Sequence, residues 1–543
     1  MISVATLVAA TPFPSLESTA LRARTTAGFV SAVFGSHMVL QRSPAQPRVW
    51  GNTTPGARVA AWLTSHNSSA SFSTVAAADG TWVQQLPPTP GSTTAYNLSF
   101  ASSTGENATL VDVVFGEVYI CGGQSNMEYA VPAVTDSDAV AREANAYPQI
   151  RFFSVGHRTS SPTPLRDLAT VWEPWQVASN TSIRKDFGPH SHLFATFSAV
   201  CWFFGKRIAE GLAAAEESVV PVGLISANWG GTKVEVWTPP EAYAKCGRAV
   251  ESSDMYNAII HPYTIGPLSL AGFAWYQAEA NTDPTAPETS AANYSCLFPR
   301  MIDSWRARFA APAAYFGFIQ LSTWCIDPTT GSVDALPRMR EAQMAAAALP
   351  HVGWATNADV GYGCNIHPPT KQIVGARLGD SALAVAHGLN VSWRSPRYAS
   401  ATQLAAGVAA GAPASVRLAV SLSDVGAGGL TLRPPRNAVL SGGAGVLQNW
   451  TLDCAAPLNG SAWNAAGNCA WASLLVPSLG WLNATVTTDG AGAGLVLAAA
   501  LPAGVGAANA TVAASAYGFG PIPLMTAYDL RTGLPVLPWN RSV

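Results

Sequence analysis

The sequence predicts an α/β fold in which a parallel-sheet domain lies between two β-rich modules. Three observations support it: short strand-like runs before residue 112, apolar strands that alternate with helical stretches from 113 to 390, and Gly-, Ala- and Val-rich strands after 391. A chain of 543 residues is too long for one hydrophobic core, so several domains are expected. The predicted division is a leader or disordered segment at 1–30, a β-sandwich at 31–112, the α/β domain at 113–390 and a second β domain at 391–543.

The first module is predicted from alternating polar and apolar runs that recur about every ten residues. Pro55-Gly56 and Asp79-Gly80 supply turns between these runs. The middle region is predicted to be α/β because strands separated by helices are typical of a parallel sheet with crossover helices. The strands are predicted at 220–226, 272–276, 315–321 and 352–355, and the helices at 196–213, 301–309, 336–348 and 370–387.

The composition excludes several classes of function. The chain is 48% hydrophobic and 11% charged, with a net charge of −2, so neither nucleic acid nor an anionic membrane surface is an expected partner. The longest uncharged stretch, 490–528, is interrupted by Gly and Pro, so no membrane span is expected. No metal-ligand spacing such as C-x-x-C is present, and neither a metal nor a cofactor is expected.

Asparagine and cysteine usage indicate the compartment. Of 22 Asn residues, 12 begin an Asn-x-Ser/Thr sequon, whereas chance predicts about 3–4 at this Ser and Thr content. This excess and the even count of eight cysteines predict a secreted or lysosomal protein with N-glycans and disulfides. Cys454–Cys469 is the pair most readily expected, and the other pairings stay open. The apolar residues 2–10 lack a basic start, which indicates either a weak leader or a gene model that begins late.

The most informative segment is Cys-Gly-Gly-Gln-Ser-Asn-Met at 121–127, which follows a strand-like run at 111–120. Two glycines before a serine with polar neighbours predict a sharp turn from a strand into a helix. Such a turn exposes a hydroxyl and directs backbone N–H groups to the same point, as a nucleophilic serine requires. The alternative is that Ser125 only caps a helix.

Three later segments place polar groups where predicted strands end. The first ends in Gly230-Gly231, whose backbone can approach a ligand closely and donate an N–H. The second, residues 274–281, ends in side-chain amides and a carboxylate, and the third places His367 on a loop before a helix. Because parallel strands present their carboxyl ends at one edge of the sheet, these groups are expected to line one crevice.

Four blocks in this order resemble the sialate O-acetylesterase family of the SGNH hydrolase superfamily. They are GQSNM at 123–127, GGT-x-x-x-x-W at 230–237, WYQ-x-E-x-N at 275–281 and IHP-x-x-K-Q at 366–372. The resemblance covers residues 33 to 390. It implies a flavodoxin-like, three-layer SGNH hydrolase domain that removes O-acetyl groups from a carbohydrate through a serine acetyl-enzyme.

The family resemblance also implies roles for individual residues. Ser125 is expected to be the nucleophile, and His367 the general base and later the acid toward the departing sugar hydroxyl. Gln277 is preferred over Asn281 as the side-chain donor to the oxyanion. The candidate oxyanion donors are the backbone N–H groups of Ser125, Gly230 and Gly231 and the side-chain amides of Gln277 and Asn281.

The chain departs from the family pattern at two places. Ala278 stands where many relatives have Gly, and its methyl group is expected to be absorbed without crowding the pocket. SGNH enzymes commonly carry an Asp two or three residues before the histidine, where this chain has Asn and Cys. The group that orients His367 is therefore open: Asp359 is the first candidate, and Glu279 or a neutral carbonyl is the alternative.

Neighbouring residues have plainer interpretations. Glu128 is expected to complement the dipole of the helix that follows the nucleophile, without a catalytic role. Lys371 and Arg377 are assigned to a solvated helix face, and His261 to packing behind the site.

The leading hypothesis is a secreted, metal-independent carbohydrate O-acetylesterase that acts on sialic acids. One alternative substrate is an acetylated polysaccharide of the xylan or pectin type. An alternative from another class is a non-catalytic carbohydrate-binding glycoprotein on the same scaffold. A sialate substrate favours a cationic contact for its carboxylate, and the sequence does not place any of its 30 Lys and Arg residues in the cleft.

Overall fold

The N-terminal module is a two-layer β structure, seen in a computed structural model that describes residues 28–156, 159–185, 193–194, 196–327, 329–405, 414–433, 469–507 and 510–543. Its strands are β1 (Val39–Gln41), β2 (Arg48–Asn52), β3 (Arg58–Thr64), β4 (Ser69–Val75), β5 (Thr81–Gln85), β6 (Ser92–Ser102) and β7 (Asn107–Gly123). Strands β4, β3, β6 and β7 form one layer, and the antiparallel pair β2–β5 forms the other. Trp82 packs on Phe100 between them, with ring centroids 5.0 Å apart.

Residues 28–30 belong to this module, although the sequence assigns them to a leader or disordered segment. The Gly28 carbonyl accepts a hydrogen bond from the Asn52 N–H (2.9 Å), and the Phe29 ring lies 5.6 Å from Trp82. Residues 1–27 lie outside the described part of the chain.

One strand joins the module to the central sheet. β7 is 17 residues long; its first half pairs with β6, and its second half, from Glu117 to Gly123, pairs with the central strand that ends at Asn228. The predicted boundary between residues 112 and 113 therefore lies inside a continuous strand. This continuity fixes the turn after Gly123 relative to both sheets.

The central sheet has the order β13-β12-β11-β7-β10-β8-β9. The added strands are β8 (Ile150–Val155), β9 (Val171–Val177), β10 (Val222–Asn228), β11 (Gly272–Tyr276), β12 (Tyr315–Gln320) and β13 (Val352–Thr356). All neighbours are parallel except β8 and β9. The six strands that are parallel to one another have the order 2-3-1-4-5-6 when they are numbered along the chain from β7. The predicted parallel α/β domain is confirmed.

Helices cover both faces of this sheet. They are α1 (Ser125–Glu128), α2 (Ser137–Glu143), α3 (Ala199–Glu216), α4 (Pro240–Ala244), α5 (Pro287–Arg308), α6 (Ala335–Gln343) and α7 (Lys371–Val385). Neighbouring residues of a strand point to opposite faces. The Tyr315 hydroxyl contacts Ser381 of α7, whereas Phe316 packs against Trp305 of α5. α5 and α7 therefore lie on opposite sides of the sheet.

The end of β7 lies at the topological switch point of the sheet. From β7 the chain builds β8 and β10 on one side and then β11, β12 and β13 on the other. A crevice opens at such a point because the connections leave in opposite directions. Gly123, Asn228 and Tyr276 are in register at this edge, so the segments that follow them meet there.

The C-terminal module is mainly one antiparallel sheet of order β14-β15-β20-β19-β18-β21-β24. Its strands are β14 (Arg397–Gln403), β15 (Ser415–Ser423), β16 (Leu430–Leu432), β17 (Cys469–Ala470), β18 (Ala472–Val476), β19 (Gly480–Thr488), β20 (Gly494–Ala500), β21 (Ala514–Tyr517), β22 (Ile522–Pro523), β23 (Ala527–Asp529) and β24 (Trp539–Ser542). Arg340 of α6 joins it to the α/β domain. Its buried guanidinium donates to the carbonyls of Leu321, Ser322, Gly520 and Pro521.

Three disulfides lie within the described residues: Cys121–Cys201, Cys246–Cys296 and Cys325–Cys364. The first ties the end of β7 to α3, four residues before Ser125. Cys454 lies outside the described residues, so its pairing with Cys469 stays a prediction. None of the described helices has the length and apolar composition that crossing a membrane requires.

Glu173 of β9 makes stability depend on pH. Its side chain is buried, and neither carboxylate oxygen has a hydrogen-bond partner in the described structure. Burial raises the pKa of Glu173 to about 9, against the opposing effect of Lys185. Since the unfolded chain loses this proton near pH 4.3, the native state binds more protons between these values. Its contribution to stability is therefore present at acidic pH and is lost as the pH rises toward 9.

We expect Glu173→Gln to raise the melting temperature at pH 7.5 by about 2–4 °C, the change that ~1 kcal/mol produces in a mid-sized domain. At pH 4 the two proteins should melt within about 1 °C of each other, because the wild-type carboxyl is then protonated in the native state and mostly protonated in the unfolded state. Thermal unfolding at both pH values is the measurement, with the exposed Glu217→Gln as control. An equal gain at pH 4 and pH 7.5 would contradict the assignment.

Candidate active site

Ser125 is presented by a turn that only glycine permits. Gly123 has φ +136°, and a Cβ atom there would lie 2.1 Å from the carbonyl oxygen of Tyr276. The next N–H, of Gln124, donates to that same carbonyl at 3.0 Å, which anchors the turn on β11. Ser125 then begins α1 at the edge of the sheet with 9% of its surface exposed. The predicted strand-turn-helix geometry is present.

His367 meets Ser125 across 242 positions of sequence. Its Nε2 lies 2.8 Å from Ser125 Oγ, and this is the only hydrogen bond of the ring among the described residues. The centroid of the imidazole ring lies 5.4 Å from that of Phe194, in an edge-to-face contact, and 6.4 Å from that of Tyr129. Burial, followed by the positive charge of Lys371, lowers the pKa of His367 to about 4. The imidazole is therefore neutral near pH 7 and can accept the serine proton.

The loop that carries His367 is fixed from two directions. The disulfide to Cys325 holds Cys364, and Thr323 donates to the Gly363 carbonyl at 2.7 Å. The His367 N–H donates to Asn365 Oδ1 at 2.9 Å. Asn365 stands where the family resemblance implies an acid; it supports the main chain and supplies no carboxylate to the ring.

Gly230 and Glu128 form a second contact beside the nucleophile. The Gly230 N–H donates to Glu128 Oε2 at 2.7 Å. A Cβ atom on Gly230 would lie 3.4 Å from Ser125 Cβ and 2.9 Å from that carboxylate oxygen, so glycine keeps this approach open. The expectation that the Gly230 N–H serves the oxyanion is not met, because a carboxylate already binds it. Gly231 lies next to it, exposed, at φ +71°.

The side-chain amides predicted for the oxyanion hole bind other protein groups. Gln277 is fully buried, and its Nε2 donates to the Thr232 carbonyl (3.1 Å) and to Asn281 Oδ1 (2.8 Å). The half-buried Asn281 donates from its amide nitrogen to Glu235 at 2.7 Å. Both amides thus brace the 230–235 loop against β11, and their role toward an oxyanion stays a prediction.

Asp359 has a structural role instead of the predicted contact with His367. Its buried carboxylate forms a two-point ion pair with Arg377, at 2.7 and 3.0 Å. The alternative orienter, Glu279, also does not contact the ring; its Oε1 accepts from the Asn126 amide at 2.5 Å. The pair is thus a Ser–His dyad among the described residues.

The methyl group of Ala278 is buried and does not narrow the cleft, but it strains the backbone at this residue. The residue is fully buried and has φ +132°, where a side chain is strained. It stands just before the Glu279–Asn281 turn. The strain is thus held by the packing around β11.

Ala278→Gly should stabilise the protein by about 1 kcal/mol, because relief of ~1–3 kcal/mol of strain exceeds the entropy cost of glycine. The free energy of unfolding is measured by chemical denaturation, with the same dependence on denaturant concentration for wild type and variant. Ala280→Gly, two residues on and free of positive φ, should instead destabilise by ~0.5–1 kcal/mol. If both changes destabilise the protein equally, Ala278 is not strained.

The prediction that Lys371 and Arg377 lie on a solvated helix face is wrong. Lys371 is fully buried and Arg377 is 8% exposed. A signal was present in the sequence: Lys371 stands three residues before Val374 and seven before Leu378, the spacing of one helix face. The expectation for Glu128 is also incomplete, since its carboxylate binds the Gly230 N–H.

Comparisons with known proteins agree with this geometry. Residues 115–383 match the family described as "Carbohydrate esterase, sialic acid-specific acetylesterase". The sialate O-acetylesterases of Homo sapiens and Pongo abelii are each 30% identical over 417 residues, which cover 67% of this chain and 72% of theirs. A carbohydrate acetylesterase from Xanthomonas citri has a crystal structure with a TM-score of 0.70 and 25% identity, over 94% of this chain and 99% of that chain.

A hydroxyl bonded to a neutral imidazole at the open edge of a parallel sheet, together with the match to a carbohydrate esterase family, places this protein among the esterases. The sequence identity with the sialate O-acetylesterases, over two thirds of this chain, narrows the assignment from the class of esterases to one family. The chain belongs to the sialate O-acetylesterase family.

Proposed function

We propose that the protein removes O-acetyl groups from sialic acids through an acetyl-enzyme on Ser125. The observation that carries this proposal is the 2.8 Å contact between Ser125 Oγ and His367 Nε2, at a sheet edge with an exposed glycine loop beside it. The intact pair also argues against the non-catalytic binding protein. Such a protein has no need to keep a buried, neutral imidazole on a serine.

The first half of the reaction forms the acetyl-enzyme. His367 accepts the proton of Ser125 Oγ at Nε2 while the oxygen attacks the acetyl carbonyl carbon. Of the predicted oxyanion donors, the backbone N–H groups of Ser125 and Gly231 donate to no other described residue and are the ones we assign to this task. When the tetrahedral intermediate collapses, the imidazolium donates its proton to the sugar oxygen, and the C–O bond of the ester breaks.

The second half releases acetate. A water molecule gives a proton to His367 and its oxygen attacks the acetyl carbon. The tetrahedral intermediate then collapses: the bond between Ser125 Oγ and the acetyl carbon breaks, and the imidazolium returns the proton to Oγ. The tautomer that accepts at Nε2 carries its proton on Nδ1. Among the described residues no carboxylate contacts that nitrogen, and the Phe194 ring packs edge to face against the imidazole. Without such a carboxylate the rate is lower than that of a triad, and the reaction is the same.

Ser125→Ala should reduce acetate release by about 10³-fold or more, since the nucleophile is lost while the fold is kept. Labelling of wild type with a fluorophosphonate should add its mass to the Ser125 peptide. The control is Ser304→Ala, which removes a buried hydroxyl from α5. Equal rates for wild type and Ser125→Ala would reject the acetyl-enzyme.

The 230–235 loop, which carries Gly230 beside the nucleophile, bears on the choice of sugar. A polar cavity of about 380 Å³ lies against this loop; Lys233, Glu235 and Asn281 line it, whereas Ser125 and His367 do not, and Lys233 is exposed. Lys233 is the cation that we assign to the sialate carboxylate. The same cavity favours a second candidate, an acetylated neutral polysaccharide. Its acidic groups outnumber its cations, and Arg248 is paired with Glu235 and Glu251.

A substrate panel separates these candidates. We expect faster acetate release from 9-O-acetyl sialic acid than from acetylated xylan. Lys233→Gln should raise KM for the sialate by about 2–5-fold, the size of one exposed ion pair, and leave KM for xylan unchanged. Lys245→Gln, on an exposed residue after α4, is the matched control. A preference for xylan with no effect of Lys233→Gln would favour the second candidate.

A secreted or lysosomal location is part of this proposal. Three disulfides in the described residues support an oxidising compartment. None of the nine sequon asparagines that the structure describes is buried, which suits N-glycans. These asparagines are Asn52, Asn67, Asn97, Asn107, Asn180, Asn293, Asn390, Asn483 and Asn540. A base with a pKa of about 4 also stays active in an acidic lumen.

A further inference from the structure

A buried lysine lies directly behind the Ser–His pair. Lys371 begins α7, four residues after His367, and its side chain is inaccessible to solvent. Its Nζ donates to Asn126 Oδ1 and lies 4.7 Å from the ring centroid of Tyr129 and 5.5 Å from that of Tyr276. A charge removed from water needs such partners, because an unpaired buried ammonium is costly.

Asn126 connects this lysine to the histidine loop. Its Nδ2 donates to the Ile366 carbonyl at 2.9 Å and to Glu279 Oε1 at 2.5 Å. The Lys371 ammonium requires an acceptor and the two oxygens require donors, so the amide has a single orientation. Asn126 follows Ser125 and Ile366 precedes His367, so one side chain joins the backbones that carry the two catalytic groups.

We propose that Lys371 is a positioning residue of the esterase reaction: through Asn126 it holds the His367 loop against the nucleophile turn, and its positive charge opposes a second positive charge on the imidazole. The inference rests on the proposed function, because it assigns a role in the Ser125–His367 mechanism. It goes beyond that function by giving a task to a group that touches neither the substrate nor the reacting atoms.

The charges around Lys371 agree with this role. The titratable groups that face it are Glu279 from the turn after β11, His367 from its own loop, and the phenols of Tyr129 and Tyr276. Burial lowers the pKa of Lys371 to about 7, and Glu279 acts in the opposite direction. The ammonium is therefore charged below pH 7, where a second cation on His367 would be repelled.

The test measures the rate at which a fluorophosphonate labels Ser125 from pH 3 to 9, which reports the protonation of His367 in the free enzyme. Wild type should lose reactivity as the pH falls through about 4.

Lys371→Gln keeps a donor for Asn126 without the charge, so the acid limb of its profile, the pH range over which labelling is lost, should move to higher pH. Lys371→Met also removes the donor, so kcat for acetate release should fall a further 10–100-fold with KM little changed. Lys245→Gln should match wild type.

An unchanged acid limb in folded Lys371→Gln and Lys371→Met would overturn the proposal. Thermal unfolding establishes that each variant is folded before its profile is used. Should neither fold, Asn126→Ala decides, because it removes the link between Lys371 and the His367 loop: an unchanged kcat overturns the proposal, and a kcat 10–100-fold lower with KM little changed supports it. Absence of labelling at Ser125 in wild type would instead reject the proposed function, so the two failures are distinguishable.

Discussion

The structure depends on holding an imidazole, carried by a loop, against a serine that lies 242 residues away in sequence. A strand end can place Ser125, because Gly123 and the Tyr276 carbonyl fix the turn. His367 has no such support from regular structure. A displacement of about 1 Å can cost 10²-fold in rate, so the loop must be fixed by tertiary contacts. The Cys325–Cys364 disulfide fixes it before the histidine, and the Asn126 contact fixes it at Ile366.

The C-terminal module takes part in this support. Ile522 and Leu524 pack against the Cys325–Cys364 disulfide in one apolar cluster. Arg340 binds the carbonyls of residues 321 and 322 and those of residues 520 and 521. It therefore joins the segment that leads to Cys325 to the C-terminal module at a second place. A buried guanidinium that satisfies four carbonyls is strongly held, since each carbonyl would otherwise be desolvated without a donor. The module therefore contributes to the geometry of a site that contains none of its residues.

Polar groups next to the serine turn form a hydrogen-bonded network. Gln277, Asn281 and Glu279 are expected at the cleft on the basis of their block, and each is bonded to another protein group; Gln277 and Glu279 are buried, and Asn281 is half-buried. In a low dielectric these bonds are strong, and an unpaired group is costly, so the members hold one another in place. The charged members set the electrostatics of the site: Lys371 and Glu279 bind the two ends of the Asn126 amide, and Glu128 binds the glycine loop.

The sequence by itself determined the parallel α/β domain, the serine turn and the histidine loop, because these follow from local signals: strand periodicity, a Gly-Gly turn and residues at strand ends. It also contained the spacing that buries Lys371. Tertiary structure alone decided the partners. Asp359 pairs with Arg377 rather than with His367, and Gly230 donates to Glu128. The physical reason is that a buried polar group bonds to whichever complementary group packing brings within 3 Å, and that choice depends on segments far apart in sequence.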